Sequence, residues 1–278
     1  MKIMINLIDA ELFKIRKMKG QKVLTALIWF FALSPIFILL FCISTGNVAT
    51  ITVPDNFGLS EAISTMLIMI CFCANFFVIL PVSFAFSGEI TKGNARRAVE
   101  ASHSRSSILT AKIISEYLYS LFLIITTLFI GIVSTVILLQ VIGKMNFGDV
   151  KTIVMALKAL LISFVPASAS LCFLNLAYIV LGKDLLVVIV YTIYFSLNQI
   201  LEFIQMILYK FPTGFIDLIK DYTPSALYFD VIGYLSSVEF NRALPISTGV
   251  YKDILLLAIY IIIFTGLSYF LIRKRDFK

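Results

Sequence analysis

Residues 118–139 read LYSLFLIITTLFIGIVSTVILL, a run without a single charge. Crossing a bilayer as a helix takes about 20 predominantly apolar residues. The run shows no alternation of period two, which excludes a membrane barrel strand. Hydrocarbon offers no water to satisfy the backbone, so its N–H and C=O groups must bond within the segment, and the run is read as a helix. Five further runs have the same character: 23–44, 62–86, 159–181, 185–209 and 254–272. The expected fold is an all-α polytopic membrane protein with six transmembrane helices in a single domain, 1–278.

The whole composition agrees. Of 278 residues, 60% are hydrophobic and 14% charged, against about 45–50% and roughly 25% in soluble domains. This excludes a soluble domain, a single-pass anchor, a secreted disulfide scaffold and a nucleic-acid-binding module. Cys42, Cys71, Cys73 and Cys172 all sit inside apolar runs, where a thiol behaves as a small buried hydrophobe. Cys71-x-Cys73 has neither metal-site spacing nor histidine partners. About twenty mixed residues precede the first run, which is too long for a signal core, so a retained first helix is expected rather than a cleaved leader.

Basic residues set the orientation. With both termini cytoplasmic, the inner pieces 1–22, 87–117, 182–184 and 273–278 hold 6, 5, 1 and 4 Lys or Arg, or 16 of 23. The inner side nets +9 and the outer −2, within the total of +7. The basic excess is therefore a topology signal and an attraction to anionic lipid, not a sign of a nucleic-acid partner. Lys151 and Lys158 are the exceptions. They precede the fourth run on the outer side and are assigned to an exit path or the headgroup zone. The connection Gly182-Lys183-Asp184 is so short that the flanking runs must form an antiparallel hairpin.

Three segments lie between or before the runs. Residues 3–19 place Ile5, Ile8, Leu12 and Ile15 at helical spacing, with Lys14, Arg16, Lys17 and Lys19 at the end. That pattern predicts an amphipathic helix in the inner interface; a merely basic tail would not need the apolar face. Residues 87–112, SGEITKGNARRAVEASHSRSSILTAK, form the longest cytoplasmic loop and suit a short helix below the membrane. The plainer reading is that Arg96, Arg97 and Arg105 only enforce topology. Residues 210–253 contain apolar pieces too short to span, 215–219 and 226–235, punctuated by Pro212, Pro224 and Pro245. Short re-entrant or interfacial helices are expected there, as a membrane-associated cap.

Catalysis finds little support. A single histidine, His103, leaves no His-based triad or His-rich zinc site to be built within the spans. No G-x-x-x-x-G-K-[ST] occurs, so the chain itself has no P-loop for ATP. Polar residues inside the runs include Asn75, Asn175, Asn198, Gln199 and Glu202, which should face other helices or a cavity. Asn75 and Asn175 suit helix–helix hydrogen bonds as well as a pathway. Gln199 and Glu202 are three apart and Asn198 and Glu202 four apart, so they share a face and suggest the outer part of a pathway or gate. Pro81 and Pro166 permit kinks.

The cytoplasmic loop resembles the segment between the second and third helices of type-2 ABC-transporter permeases, the six-helix membrane subunits of ATP-driven exporters. Those often read E-x-x-x-G-T, then R, then S/T-R, and an apolar stretch closed by K. Glu89 and Gly93 match the opening, Arg96 or Arg97 the first basic site, Ser104-Arg105 the second, and Leu109 and Lys112 the close. Asn94 stands where Thr is usual. The resemblance covers the interfacial N-terminal helix, the six spans, the long external segment and the basic ending Arg273-Lys-Arg-Asp-Phe277. Small bacterial permeases for peptide antibiotics, cytolytic peptides or bacitracin-type drugs are similar.

The resemblance implies a bacterial cell-membrane permease that pairs with a second permease, identical or paralogous, and docks two copies of a separate P-loop ATPase. ATP and Mg would be bound by that partner, and this chain would carry no cofactor and no catalytic site. Glu89, Gly93, Arg96, Arg97, Arg105 and Lys112 would form a coupling helix seated on the ATPase. The cargo would be amphipathic or hydrophobic. Two other classes share the topology: a non-pumping immunity or scaffold protein that binds a peptide, and an ion-coupled secondary transporter. The latter needs a carboxylate near the midplane, where the sequence offers only Glu202, toward the outer end.

Overall fold

A computed structural model of the chain describes residues 2–44, 104–142, 151–207, 214–235 and 248–274. The second apolar run 62–86, with Asn75, and Glu89, Gly93, Arg96, Arg97 and His103 lie outside these residues. So do the side chains of Arg105, Lys151 and Lys158.

All regular structure among the described residues is helical. In chain order the helices are α1 (Lys2–Lys17), α2 (Lys19–Ala32), α3 (Ser34–Ser44), α4 (Arg105–Ile142), α5 (Lys151–Leu181), α6 (Asp184–Phe195), α7 (Leu197–Ile207), α8 (Gly214–Asp221), α9 (Pro224–Leu235) and α10 (Thr248–Lys274). Among the described residues, three stretches are long and apolar enough to cross a membrane: Ser106–Leu138, Phe164–Leu181 and Thr248–Lys274. The bent α6–α7 pair is a fourth if its halves form one span. By length and composition these helices are compatible with a membrane protein.

The stretch 118–139 belongs to a longer element than its apolar run predicts. α4 begins thirteen residues earlier, at Arg105, and Ser104 caps it, its Oγ accepting the Ser107 N–H at 3.1 Å, which satisfies one of the first-turn donors that have no intrahelical acceptor. The 38 residues that follow form one unbroken helix, about 57 Å long at 1.5 Å per residue. Leu118, Phe122, Ile125, Phe129, Val133 and Ile137 recur on an exposed face of α4, while Leu109, Glu116, Leu123 and Ser134 are buried on the other. A continuous apolar stripe this long is what a lipid-facing helix presents.

α5 has α10 packed along it, with α6 and α9 also against it, and is reached by side chains of α4. It too begins early: Lys151 and Lys158 lie within the helix, not ahead of it. The α5–α6 hairpin forms as the short connection predicts. Gly182 adopts φ 65° and its N–H donates to the Tyr178 carbonyl at 3.0 Å, a left-handed helix end that only glycine occupies without steric cost.

Two of the expected continuous spans are broken. Run 23–44 divides at Leu33 into α2 and α3; Pro35, in the first turn of α3, has no N–H to continue the upstream ladder. Run 185–209 bends by 58° between α6 and α7 at Ser196. α6 is anchored by Val187, Tyr191 and Phe195, whereas α7 buries no residue, and its polar side chains take partners on α8, off the α6 axis.

Among its described residues, the segment 210–253 holds two short helices, α8 and α9. Thr223 caps α9: its Oγ1 accepts the Ala226 N–H at 3.2 Å, and Pro224 occupies the first helical position, where a missing N–H costs nothing. α9 is no loose cover. Leu227, Tyr228, Val231, Ile232 and Tyr234 enter a core shared with Phe195 of α6, Ala169 of α5 and Val250 and Leu257 of α10. Tyr228 and Phe229 meet the Phe195 ring at 5.5 and 5.3 Å. The elbow before α9 is fixed to α10, since Tyr260 donates its hydroxyl to the Tyr222 carbonyl at 2.9 Å and Lys252 lies 4.7 Å over the Tyr222 ring.

α1 forms the predicted N-terminal helix and packs on α4. Ile15 is buried beside Tyr119, Leu123 and Ile28, and Leu12 packs at the edge of that cluster. Ile5, at the far end of the predicted stripe, is exposed.

Candidate functional site

Two polar arrangements stand out in this apolar frame. The first is a seam where α4, α5 and α10 meet. Glu116 is completely buried and Asn175 nearly so; Asn175 Nδ2 donates to Glu116 Oε2 at 2.8 Å. One residue along α4, the Tyr117 hydroxyl lies 2.9 Å from the Cys172 sulfur, which also receives the Thr265 hydroxyl of α10 at 3.3 Å. About two turns toward the start of α4, the Thr110 and Tyr269 hydroxyls are 2.6 Å apart. Each polar group thereby meets another helix instead of lipid, where it would be costly.

Lys112 belongs to this seam. The sequence places it at the close of the cytoplasmic motif, yet it is 5% exposed and sits one turn before Glu116 on α4. Arg105 opens the same helix. Asn175 is a helix–helix contact, as one of its two readings had it, and Cys172 is a buried free thiol.

The second arrangement joins α7 to α8. Glu202 is half exposed and pairs with Lys220 Nζ at 3.0 Å, and Gln205 Nε2 donates to Asp217. Residues three apart on α7 thus meet residues three apart on α8, as two helices side by side allow. Gln199 is exposed; Asn198 is half-buried, and its Oδ1 has no hydrogen-bond partner. The face shared by Asn198, Gln199 and Glu202 therefore divides: Glu202 turns to α8 and the other two do not join it.

Close by, Asp230 on α9 has its carboxyl held above the usual carboxylate range, first by partial burial and then by the charges of Asp253 and Asp221. No set of three or more His, Cys, Asp or Glu among the described residues could hold a metal ion.

Glu116, Gln205, Asp217 and Lys220 were not singled out from the sequence. The partition into runs set Glu116 just outside a span. The signal for the others was the repeated three-residue spacing of opposite and polar partners, Glu202/Gln205 and Asp217/Lys220, across a short connection. No protein-family model matches the chain, and neither does any curated protein.

Proposed function

We propose that this chain is the membrane permease subunit of an ABC exporter, moving an amphipathic or hydrophobic cargo out of the cell or the bilayer. Six spans cross the bacterial cell membrane, with both termini in the cytoplasm. A separate P-loop ATPase, present in two copies, binds ATP and Mg; a second permease, identical or paralogous, completes the pathway. The chain has no ATPase activity of its own.

The observation that carries this reading is the continuity of α4. It begins at Ser104-Arg105, inside the basic loop that resembles a coupling helix, and runs unbroken through Ile142. A push on the loop therefore travels along one rigid rod, because an intact helix transmits displacement where a hinge would absorb it. The rod is gripped by α1 around Tyr119 and Leu123 and by the buried seam with α5 and α10, so a movement would be shared by the bundle. Arg96, Arg97 and Glu89 supply charge pairing to the ATPase, and Glu202, Gln199, Asn198 and Asn75 are the pathway or gate candidates.

The test is the double substitution Arg96→Glu and Arg97→Glu, co-reconstituted in vesicles with the partner ATPase that co-purifies with this chain. Insertion stays normal and ATP hydrolysis becomes uncoupled from transport. Unimpaired transport by the double variant refutes the coupling assignment.

A further inference from the structure

We infer that the elbow between α1 and α2 is a docking surface for the headgroups of anionic phospholipids. The inference rests on insertion of the chain in a bilayer and is independent of the partner ATPase.

α1 ends at Lys17 and α2 begins at Lys19, with Met18 alone between them in an extended conformation. Arg16, Lys17, Lys19 and Lys22 are exposed around this joint, and none of them forms an ion pair among the described residues. The acids of α1 leave them uncompensated: Glu11 bonds Lys14 at 2.6 Å, and Asp9 lies about two turns back from the elbow. Arg16 and Lys17 suit the C-terminal end of α1, where the helix carries partial negative charge. Lys19 and Lys22 open α2, whose first turn holds no acid and no capping side chain and carries partial positive charge. Inside the fold these two cations gain nothing, and an anion outside it would compensate them.

The kind of anion follows from the neighbours. Phe13, Met18 and Val23 are exposed apolar side chains interleaved with the cations, and Lys17 Nζ lies 5.4 Å from the centre of the Phe13 ring. A soluble anion would leave those apolar side chains in water. A bilayer surface takes both, headgroups against the cations and hydrocarbon against the apolar groups. The level agrees. Ile15 before the elbow and Ile28 after it both enter the cluster around Tyr119 and Leu123, and the Thr25 and Tyr119 hydroxyls are 3.2 Å apart. The elbow therefore lies beside the start of the uncharged run 118–139 and just ahead of run 23–44, where headgroups meet hydrocarbon. Beyond it, Leu27 and Phe30 continue the exposed apolar surface along α2, a bed for the acyl chain. Topology alone asks for basic residues on one side of the membrane and does not account for the apolar side chains between them.

The chain's single tryptophan, Trp29, reads occupancy. It lies about 10 Å along α2 from Lys22, so a lipid held at the elbow brings bromine atoms at mid-chain close to its ring. The purified chain is placed in phosphatidylcholine vesicles containing a minor fraction of brominated phosphatidylglycerol or, in parallel, brominated phosphatidylcholine. One basic residue near an anionic surface is worth about a fivefold preference. At low salt the wild type therefore associates with the phosphatidylglycerol at least about fivefold more strongly, and the preference shrinks at high salt. Arg16→Gln, Lys17→Gln, Lys19→Gln and Lys22→Gln together abolish it and leave quenching by phosphatidylcholine unchanged. Equal quenching of the wild type by the two lipids at low salt overturns the inference, and that result needs no variant to fold. A preference unchanged by the quadruple substitution or by high salt places the lipid elsewhere and overturns it as well. A preference lost in sodium phosphate but kept in sodium chloride of equal ionic strength makes the occupant a soluble phosphate compound and overturns the lipid assignment.

Discussion

Leu227→Ala measures whether α9 is a core element or a surface flap. Leu227 is 1% exposed and packs among Phe195, Val231 and Leu257. Truncation removes about three buried carbons, worth about 0.8 kcal/mol each, and leaves a cavity between four helices that cannot close without moving α10. Together these give a destabilisation of about 3 kcal/mol, within the range measured for buried leucines. At about 2–3 °C per kcal/mol in a chain of this size, the midpoint of thermal unfolding falls by about 6–9 °C. Cys172 supplies the probe: its buried thiol reacts with a fluorogenic maleimide only when the bundle opens, once Cys42, Cys71 and Cys73 are replaced by Ala. Leu255→Ala is the control, because Leu255 is 61% exposed and its loss shifts the midpoint by about 1 °C or less. Equal midpoints for the two variants refute the burial of α9.

Gly182→Ala forces a side chain into a φ of 65°, costing about 1–2 kcal/mol, and Gly182→Asn costs less; both are read by the same thiol assay. Asp230 has a folded-state proton affinity above its unfolded one, so the folded chain binds more protons and stability falls as pH rises from the ordinary aspartate value through the raised one. Asp230→Asn removes that slope, and thermal midpoints across mildly acidic pH report it. Glu202→Ala breaks an exposed ion pair and so changes stability by less than about 1 kcal/mol, yet it alters export or substrate-stimulated ATP hydrolysis. Wild-type values of both activities make Glu202 a structural contact between α7 and α8.

The all-helical class and the helices around runs 118–139, 159–181 and 254–272 were legible because a long uncharged run admits little else in a bilayer. The short helices α8 and α9 were legible from their prolines and brief apolar pieces. The insertion of α9 into the core was not, because it depends on contacts from α5, α6 and α10, all distant in sequence. The bend at Ser196 was hidden for a related reason: the run 185–209 is apolar on both sides of it, and the off-axis partners Asp217 and Lys220 lie on another helix. Glu116 escaped notice because hydropathy counting assigns a charged residue at a run's edge to solvent. Only the meeting of three helices reveals that it is enclosed.

The most direct test of the export account is the side of the membrane on which α4 begins. A Ser104→Cys substitution in a chain otherwise lacking cysteine, treated in intact cells with a membrane-impermeant maleimide, should stay unlabelled and react only after the cells are opened. Labelling of residue 104 in intact cells would put the arginine-bearing loop outside, beyond the reach of any cytoplasmic ATPase, and would contradict the account.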